Sequence, residues 1–117
     1  MADTQDRGQP NIADLGLRDD VLAAMAGVFK NHPAITRAVV FGSRAKGEAS
    51  KYADVDIALF GGVDMLEVED IICDLDELPF VYTFDAVAYD SIGNSELRQH
   101  IDRVGVAIYK TENSAGA

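Results

Sequence analysis

The chain has 117 residues, a hydrophobic fraction of 48% and one cysteine, which fits one globular domain with a modest core and excludes an internal disulfide. Its formal net charge is −10, from 20 acidic and 10 basic residues. That charge argues against a domain that tracks nucleic acid through its phosphate backbone, because such binding needs a basic surface. It is compatible with a metal-assisted nucleotide site or with a basic protein partner.

The N-terminal segment is polar and acidic, so we expect no signal peptide. No apolar stretch approaches the ~20 residues that span a bilayer, which argues against a membrane protein. A single cysteine, Cys73, fits a reducing cytoplasm. We expect one domain over residues 13–110, with flexible tails at residues 1–12 and 111–117.

Apolar periodicity predicts an alternation of helices and strands. In chain order, the pattern predicts a helix over 17–30, strands over 36–41 and 55–60, a helix over 64–78, a strand over 80–89, a helix over 95–104 and a short strand over 107–109. This order indicates an α+β fold, with a mixed sheet and helices packed on one face. The other face would be partly open to polar groups.

Four residues carry more detailed expectations. Met65 is expected in the core stripe of the second helix, and Cys73 as a small packed residue. His32, at the end of the first helix, is expected on the surface. Asn94 is a candidate N-cap for the last helix, because its side chain can accept hydrogen bonds from the first free amides.

Asp54 and Asp56 open the second predicted strand, where aspartate is a poor strand former. Residues two apart in a strand point to the same face, so these carboxylates project side by side. Like charges in that arrangement repel unless a cation lies between them. Asp85 is a further acid in the middle of a predicted strand. Each acid alone also has an ordinary explanation, as a solvent-facing group or one satisfied by a neighbour.

The acids and a Gly-Ser turn together fit phosphoryl transfer. Aspartate oxygens suit Mg²⁺, and two ions ~3.5–4 Å apart can clamp the attacking and leaving oxygens of an in-line displacement. Gly42 lets a phosphate approach the backbone, and Ser43 opens a turn whose free amides face that anion. Arg44 and Lys46 either help neutralise a triphosphate or face water.

The stretch GSRAKGEASKYADVDIALF resembles the signature of the DNA polymerase β-like nucleotidyltransferases. It is most similar to the minimal nucleotidyltransferases (MNT) of prokaryotes, which read Gly-Ser, Arg-x-Arg/Lys-Gly and then Ser-Asp-x-Asp-Leu. The resemblance covers nearly the whole chain. Ala53 replaces the usual serine and Ile57 the usual leucine, and neither change removes a metal ligand.

The resemblance implies the polymerase β-like fold and transfer of a nucleoside monophosphate, with ATP the expected co-substrate and two Mg²⁺ ions the cofactor. Asp54, Asp56 and Asp85 would hold the ions, and Asp85 would also help to remove a proton from the acceptor hydroxyl. The nucleotide would be bound at Gly42 and Ser43, with the two basic residues that follow as further candidates.

The resemblance also implies a partner. Minimal members are commonly antitoxins of an all-helical HEPN-class ribonuclease toxin, and some adenylylate a tyrosine of that toxin. We therefore expect a cytoplasmic protein adenylyltransferase in a hetero-oligomer, without direct nucleic-acid binding. Two alternatives stay open: a small-molecule acceptor, as in aminoglycoside-modifying enzymes, and a non-catalytic antitoxin that acts by binding alone.

Overall fold

The computed structural model describes residues 12–42, 44–45 and 54–111. The elements are a 3₁₀ helix (Ile12–Leu15), α1 (Asp19–Lys30), β1 (Ile35–Phe41), β2 (Val55–Gly61), α2 (Met65–Asp76), β3 (Phe84–Ala88), a 3₁₀ turn (Tyr89–Ser91), α3 (Ser95–Val104) and β4 (Val106–Lys110). The predicted tails lie outside the described residues except for Ile12 and Thr111. Across the described ranges, no helix combines the length and apolar character needed to cross a membrane.

The four strands form one mixed sheet in the order β3-β2-β1-β4. β1 pairs antiparallel with both β2 and β4, whereas β2 and β3 are parallel. Parallel neighbours need a crossover connection, and α2 supplies it. The α+β class expected from the sequence is confirmed by this arrangement.

The main core lies on one face of the sheet. Val40 and Ile57 are fully buried there in one cluster with Met25 of α1 and Ile71 of α2. Residues of a strand alternate between faces, so the neighbours of these strand residues point to the other side.

A second, smaller cluster lies on that other face, where Val39 and Ala58 pack with Ile101 of α3. The expectation that all helices pack on one face is therefore wrong for α3. The stripe of α3 is narrow, since Ile101 is its one fully buried residue. Part of this second face stays available to polar groups.

Most predicted elements are confirmed within two residues of their bounds. Asn94 caps α3, because its side-chain oxygen accepts from the amides of Glu96 and Leu97. The third strand is shorter than predicted, since residues 80–83 lie outside it. β3 extends only where it pairs with β2, from Val55↔Phe84 to Leu59↔Ala88.

Two residues of α2 are placed differently from their predictions. Met65 is 74% exposed, and Cys73 is exposed. The buried stripe of α2 runs through Val68, Ile71 and Leu75. This stripe begins one turn after Met65, and Cys73 lies about 200° around the helix from Ile71 at ~100° per residue.

His32 joins the end of α1 to α2, and its prediction as a surface residue is wrong. Nδ1 lies 3.2 Å from Oε2 of Glu67, and Nε2 lies 2.9 Å from Oδ2 of Asp74. The side chain is only 12% exposed. Burial by itself lowers the pKa of His32, but the hydrogen bonds and charges of Asp74 and Glu67 outweigh it and raise the pKa overall.

Because the folded-state pKa of His32 is raised, the stabilisation is fully present below the unfolded value of 6.5 and is lost as pH rises through the folded value. We expect His32→Gln to lower the free energy of unfolding by about 0.5–1 kcal/mol near pH 5.5, and by less near pH 8.5. Urea unfolding at both pH values measures this, with His100→Gln as the control for the second histidine. An equal loss at both pH values would contradict the charged bridge.

Candidate active site

Two of the predicted acids face each other across adjacent strands. Asp56 of β2 is the direct partner of Asp85 in β3. Asp54 immediately precedes β2 and lies two residues before Asp56, so these two carboxylates share a face. We call Asp54, Asp56 and Asp85 the acid row. Their face of the sheet also carries Ala58 of the smaller cluster, so the acid row lies on the part of that face that α3 leaves open.

The electrostatics of the row centre on Asp56, which is half-buried between two exposed acids. Burial raises the pKa of the Asp56 carboxyl, and the charges of Asp85 and Asp54 raise it further. Both causes disfavour the ionised form. A divalent cation would reverse this effect, because its charge exceeds that of either neighbouring carboxylate.

The donor set suits Mg²⁺, although the described side chains form no ready-made group of three metal ligands. Oδ1 of Asp85 instead accepts a hydrogen bond of 3.0 Å from the amide of Ala86. Mg²⁺ commonly takes one or two carboxylates and completes its shell with water and substrate phosphates. Asp54 and Asp56 fit that role, and Asp85 would join after its carboxylate rotates from the backbone.

Gly42 follows β1, where Phe41 pairs with Asp56. Its φ is +80°, and a Cβ at this position would lie 2.6 Å from Oδ2 of Asp56. Both the left-handed backbone and the lack of space require glycine here. The backbone at Gly42 thus lies next to the Asp56 carboxylate without an intervening side chain.

The remaining nucleotide-binding predictions have different outcomes. Ser43 and Lys46 lie outside the described residues, so their roles stay predictions. Arg44 is 1% exposed, which makes the alternative that it faces water wrong. Its Nη1 donates to the carbonyl oxygen of Leu15 at 2.9 Å, and its guanidinium lies 4.9 Å from the ring centroid of Tyr82.

Leu15 and Tyr82 were not candidates in the sequence analysis. Leu15 precedes Arg44 by 29 positions, and neither residue belongs to the Gly-Ser or Asp-x-Asp pattern. The one available signal was an aromatic residue shortly before the strand that carries Asp85, and that signal has no specificity on its own. Their contacts depend on the tertiary fold.

The family model for "Polymerase beta, Nucleotidyltransferase" matches residues 24–114. That range includes both sequence motifs and all four strands, and the chain belongs to this nucleotidyltransferase family. No curated protein matches the chain.

Several solved structures share the fold. One, a toxin–antitoxin with AMP-PNP, has a TM-score of 0.65 at 20% identity, over 86% of this chain and 79% of that one. A tri-AMPylated Shewanella oneidensis HEPN toxin in complex with MNT antitoxin gives 0.63 at 17% identity, over 86% and 78%. The toxin–antitoxin MntA-HepT gives 0.63 at 16%, over 85% and 78%. At these identities the likeness is one of fold.

Replacing Asp56 with asparagine should stabilise the free protein, because the raised pKa means that the ionised carboxyl destabilises the fold above the unfolded value of 3.8. We expect Asp56→Asn to gain about 0.5 kcal/mol at neutral pH, the scale for facing like charges. The gain should shrink as pH falls through the raised pKa of the folded protein and vanish below the unfolded value of 3.8. Thermal unfolding across pH measures it, with Asp76→Asn on the exposed side of α2 as control. A destabilised Asp56→Asn protein would oppose this electrostatic description.

Gly42→Ala should destabilise the fold by about 1–2 kcal/mol, the cost of a left-handed conformation for an alanine. It should also weaken nucleotide binding, because the new Cβ displaces the Asp56 carboxylate. Gly62→Ala is the matched control, since a Cβ at Gly62 meets nothing within 4 Å. Chemical unfolding and calorimetric titration with Mg²⁺–ATP measure the two effects. If both alanine variants behave alike, Gly42 has no special role.

Proposed function

We propose that this chain is an Mg²⁺-dependent nucleotidyltransferase that moves AMP from ATP onto a hydroxyl of a partner protein, and that it is the antitoxin of a HEPN-class toxin. The observation that carries the chemistry is the direct pairing of Asp56 with Asp85. This pairing makes neighbours of two acids from strands that are separate in sequence, and Asp54 lies on the same face.

Gly42 supports the proposed position of the nucleotide. The glycine backbone lies against the Asp56 carboxylate, so phosphates bound at the turn would be adjacent to the acids. Asp54, Asp56 and Asp85 would hold Mg²⁺, which would neutralise the charge that develops on the phosphates. The amides of the Gly-Ser turn would bind the β- and γ-phosphates.

Asp85 suits the role of general base, because it is exposed and lies on an edge strand of the sheet. An acceptor hydroxyl can therefore reach it from solvent. The acceptor oxygen would form a bond to the α-phosphorus as its proton passes to the Asp85 carboxylate. The bond from the α-phosphorus to the bridging oxygen would break, and pyrophosphate would leave.

Two observations support a protein acceptor. A structure of similar fold contains a tri-AMPylated HEPN toxin in complex with MNT antitoxin. The chain's net charge of −10 also favours encounter with a basic partner, such as an RNA-cleaving protein, because complementary charge accelerates association.

The test uses ATP labelled at the α-phosphate, Mg²⁺ and the protein encoded by the adjacent gene, which the proposal expects to be of the HEPN class. We expect label on the partner, and a loss of at least about a hundredfold in rate for Asp56→Asn and for Asp85→Asn. Asp76→Asn should retain the wild-type rate. Removal of Mg²⁺ by a chelator should abolish transfer.

The alternatives give different results. Pyrophosphate release stimulated by a small hydroxyl compound without a protein partner would favour a small-molecule acceptor. Full neutralisation of the toxin by a chain carrying both Asp54→Ala and Asp56→Ala would show that binding alone suffices. If a folded partner never takes up label, the protein-acceptor proposal is wrong.

A further inference from the structure

Arg44 is the one buried charged or polar side chain among the described residues. A guanidinium removed from water is unfavourable unless it is paired, so a buried arginine needs partners inside the fold. Two of its partners among the described residues come from segments far from it in sequence. These partners identify the segments of the chain that the Arg44 side chain connects.

The first partner is the segment before α1. Nη1 of Arg44 donates to the carbonyl oxygen of Leu15 at 2.9 Å, at the end of the 3₁₀ helix. The next residue, Gly16, has φ +73°, and a Cβ there would lie 3.3 Å from the same Nη1. Glycine at position 16 therefore gives the guanidinium room against the backbone.

The second partner is the segment before β3. The guanidinium lies 4.9 Å from the ring centroid of Tyr82, within the range of a cation–π contact. Tyr82 precedes Asp85 by three residues and contacts Phe84 edge to face, with ring centroids 6.3 Å apart. Arg44 thus contacts the segment that leads to the candidate base.

The third segment is the Gly-Ser turn itself. Arg44 follows Gly42 by two residues, and Gly42 lies against Asp56. Gly42 therefore lies beside the acids, while the side chain of Arg44, two residues later, is anchored in the interior. A side chain in this position braces the turn from inside the protein.

We infer that Arg44 is a positioning residue for nucleotide binding: it holds its own backbone, two residues after Gly42, against the segments of Leu15 and Tyr82, and does not itself contact the triphosphate. This inference rests on the proposed function, which requires that the protein binds a nucleotide. It replaces the expectation that Arg44 is a direct phosphate ligand, because the guanidinium is engaged in the interior.

Arginine-to-lysine replacement separates the two roles. Lysine binds phosphate well as a point charge, so it would preserve much of a direct contact. It lacks the planar fork that can donate to Leu15 while it covers the Tyr82 ring. We expect Arg44→Lys and Arg44→Met each to weaken binding of Mg²⁺–AMP-PNP by about tenfold, with calorimetry as the measurement.

We call the contacts of Arg44 with Leu15 and Tyr82 the brace. Tyr82→Leu removes one of these contacts without changing Arg44 itself. It should weaken nucleotide binding in the same direction, and the double variant with Arg44→Met should be no weaker than the weaker single variant, because residues in one contact are not additive. Arg37→Met is the matched control, since Arg37 also lies over an aromatic ring, 4.1 Å from the centroid of Phe60. It should leave affinity unchanged.

Native affinity in Arg44→Lys, or no effect of Tyr82→Leu in a folded protein, would overturn the positioning role. Amide hydrogen exchange provides a readout that needs no nucleotide. Arg44→Met should speed exchange at Gly42, Arg44 and Ala45, and Arg37→Met should not. If the wild-type chain binds no nucleotide, the proposed function fails separately, and unchanged exchange at these amides would then overturn the brace.

Discussion

The parallel pairing of β2 with β3 is the constraint on which the candidate site depends. One register brings Asp56 opposite Asp85, and the alternation of the strand adds Asp54 to the same face. A shift of one residue would turn Asp85 toward the core face and remove it from the row. The same register buries Ile57 and Leu59 in the main core, so the packing of the core and the position of the acids are set together.

This register creates an unfavourable charge arrangement that packing has to offset. Asp56 is held between two like charges and is partly removed from water. The small cluster around α3 covers only part of the second face and leaves the acids accessible. Divalent cations bound at this row would supply the compensating positive charge, so the repulsion present in the free chain would be relieved on binding.

Gly42 and Arg44 show how the turn beside the acids is shaped. Gly42 allows close approach because it has no side chain and adopts a positive φ. Arg44, in contrast, has a long side chain that reaches through the interior to Leu15 and Tyr82. In the proposed site this turn would present amides to an anion, and a rigid turn favours binding, so Gly42 and Arg44 would contribute by restricting their own backbone positions.

The sequence was informative where local pattern determines structure. Short apolar, β-branched runs between turn residues predicted β1 and β2, the 3.6-residue period predicted α1 and α3, and Asp-x-Asp predicted two carboxylates on one face. The sequence was not informative where a contact between residues far apart in the chain determines the structure. The burial of Arg44 depends on a residue 29 positions away, and the bridge of His32 on Asp74, 42 positions away. The side of the sheet that α3 covers depends on the path of the chain after β3, which no local period records.

In the proposed enzyme, the three acids and the Gly-Ser turn form one site for a metal-bound triphosphate. The most direct test of this proposal is a crystal structure of the chain with AMP-PNP and Mn²⁺, in which anomalous scattering locates the metal. We expect Mn²⁺ between Asp54 and Asp56, the β- and γ-phosphates at Gly42, and the Asp85 carboxylate rotated away from the Ala86 amide. Metal or nucleotide bound elsewhere, with these carboxylates unliganded, would contradict it.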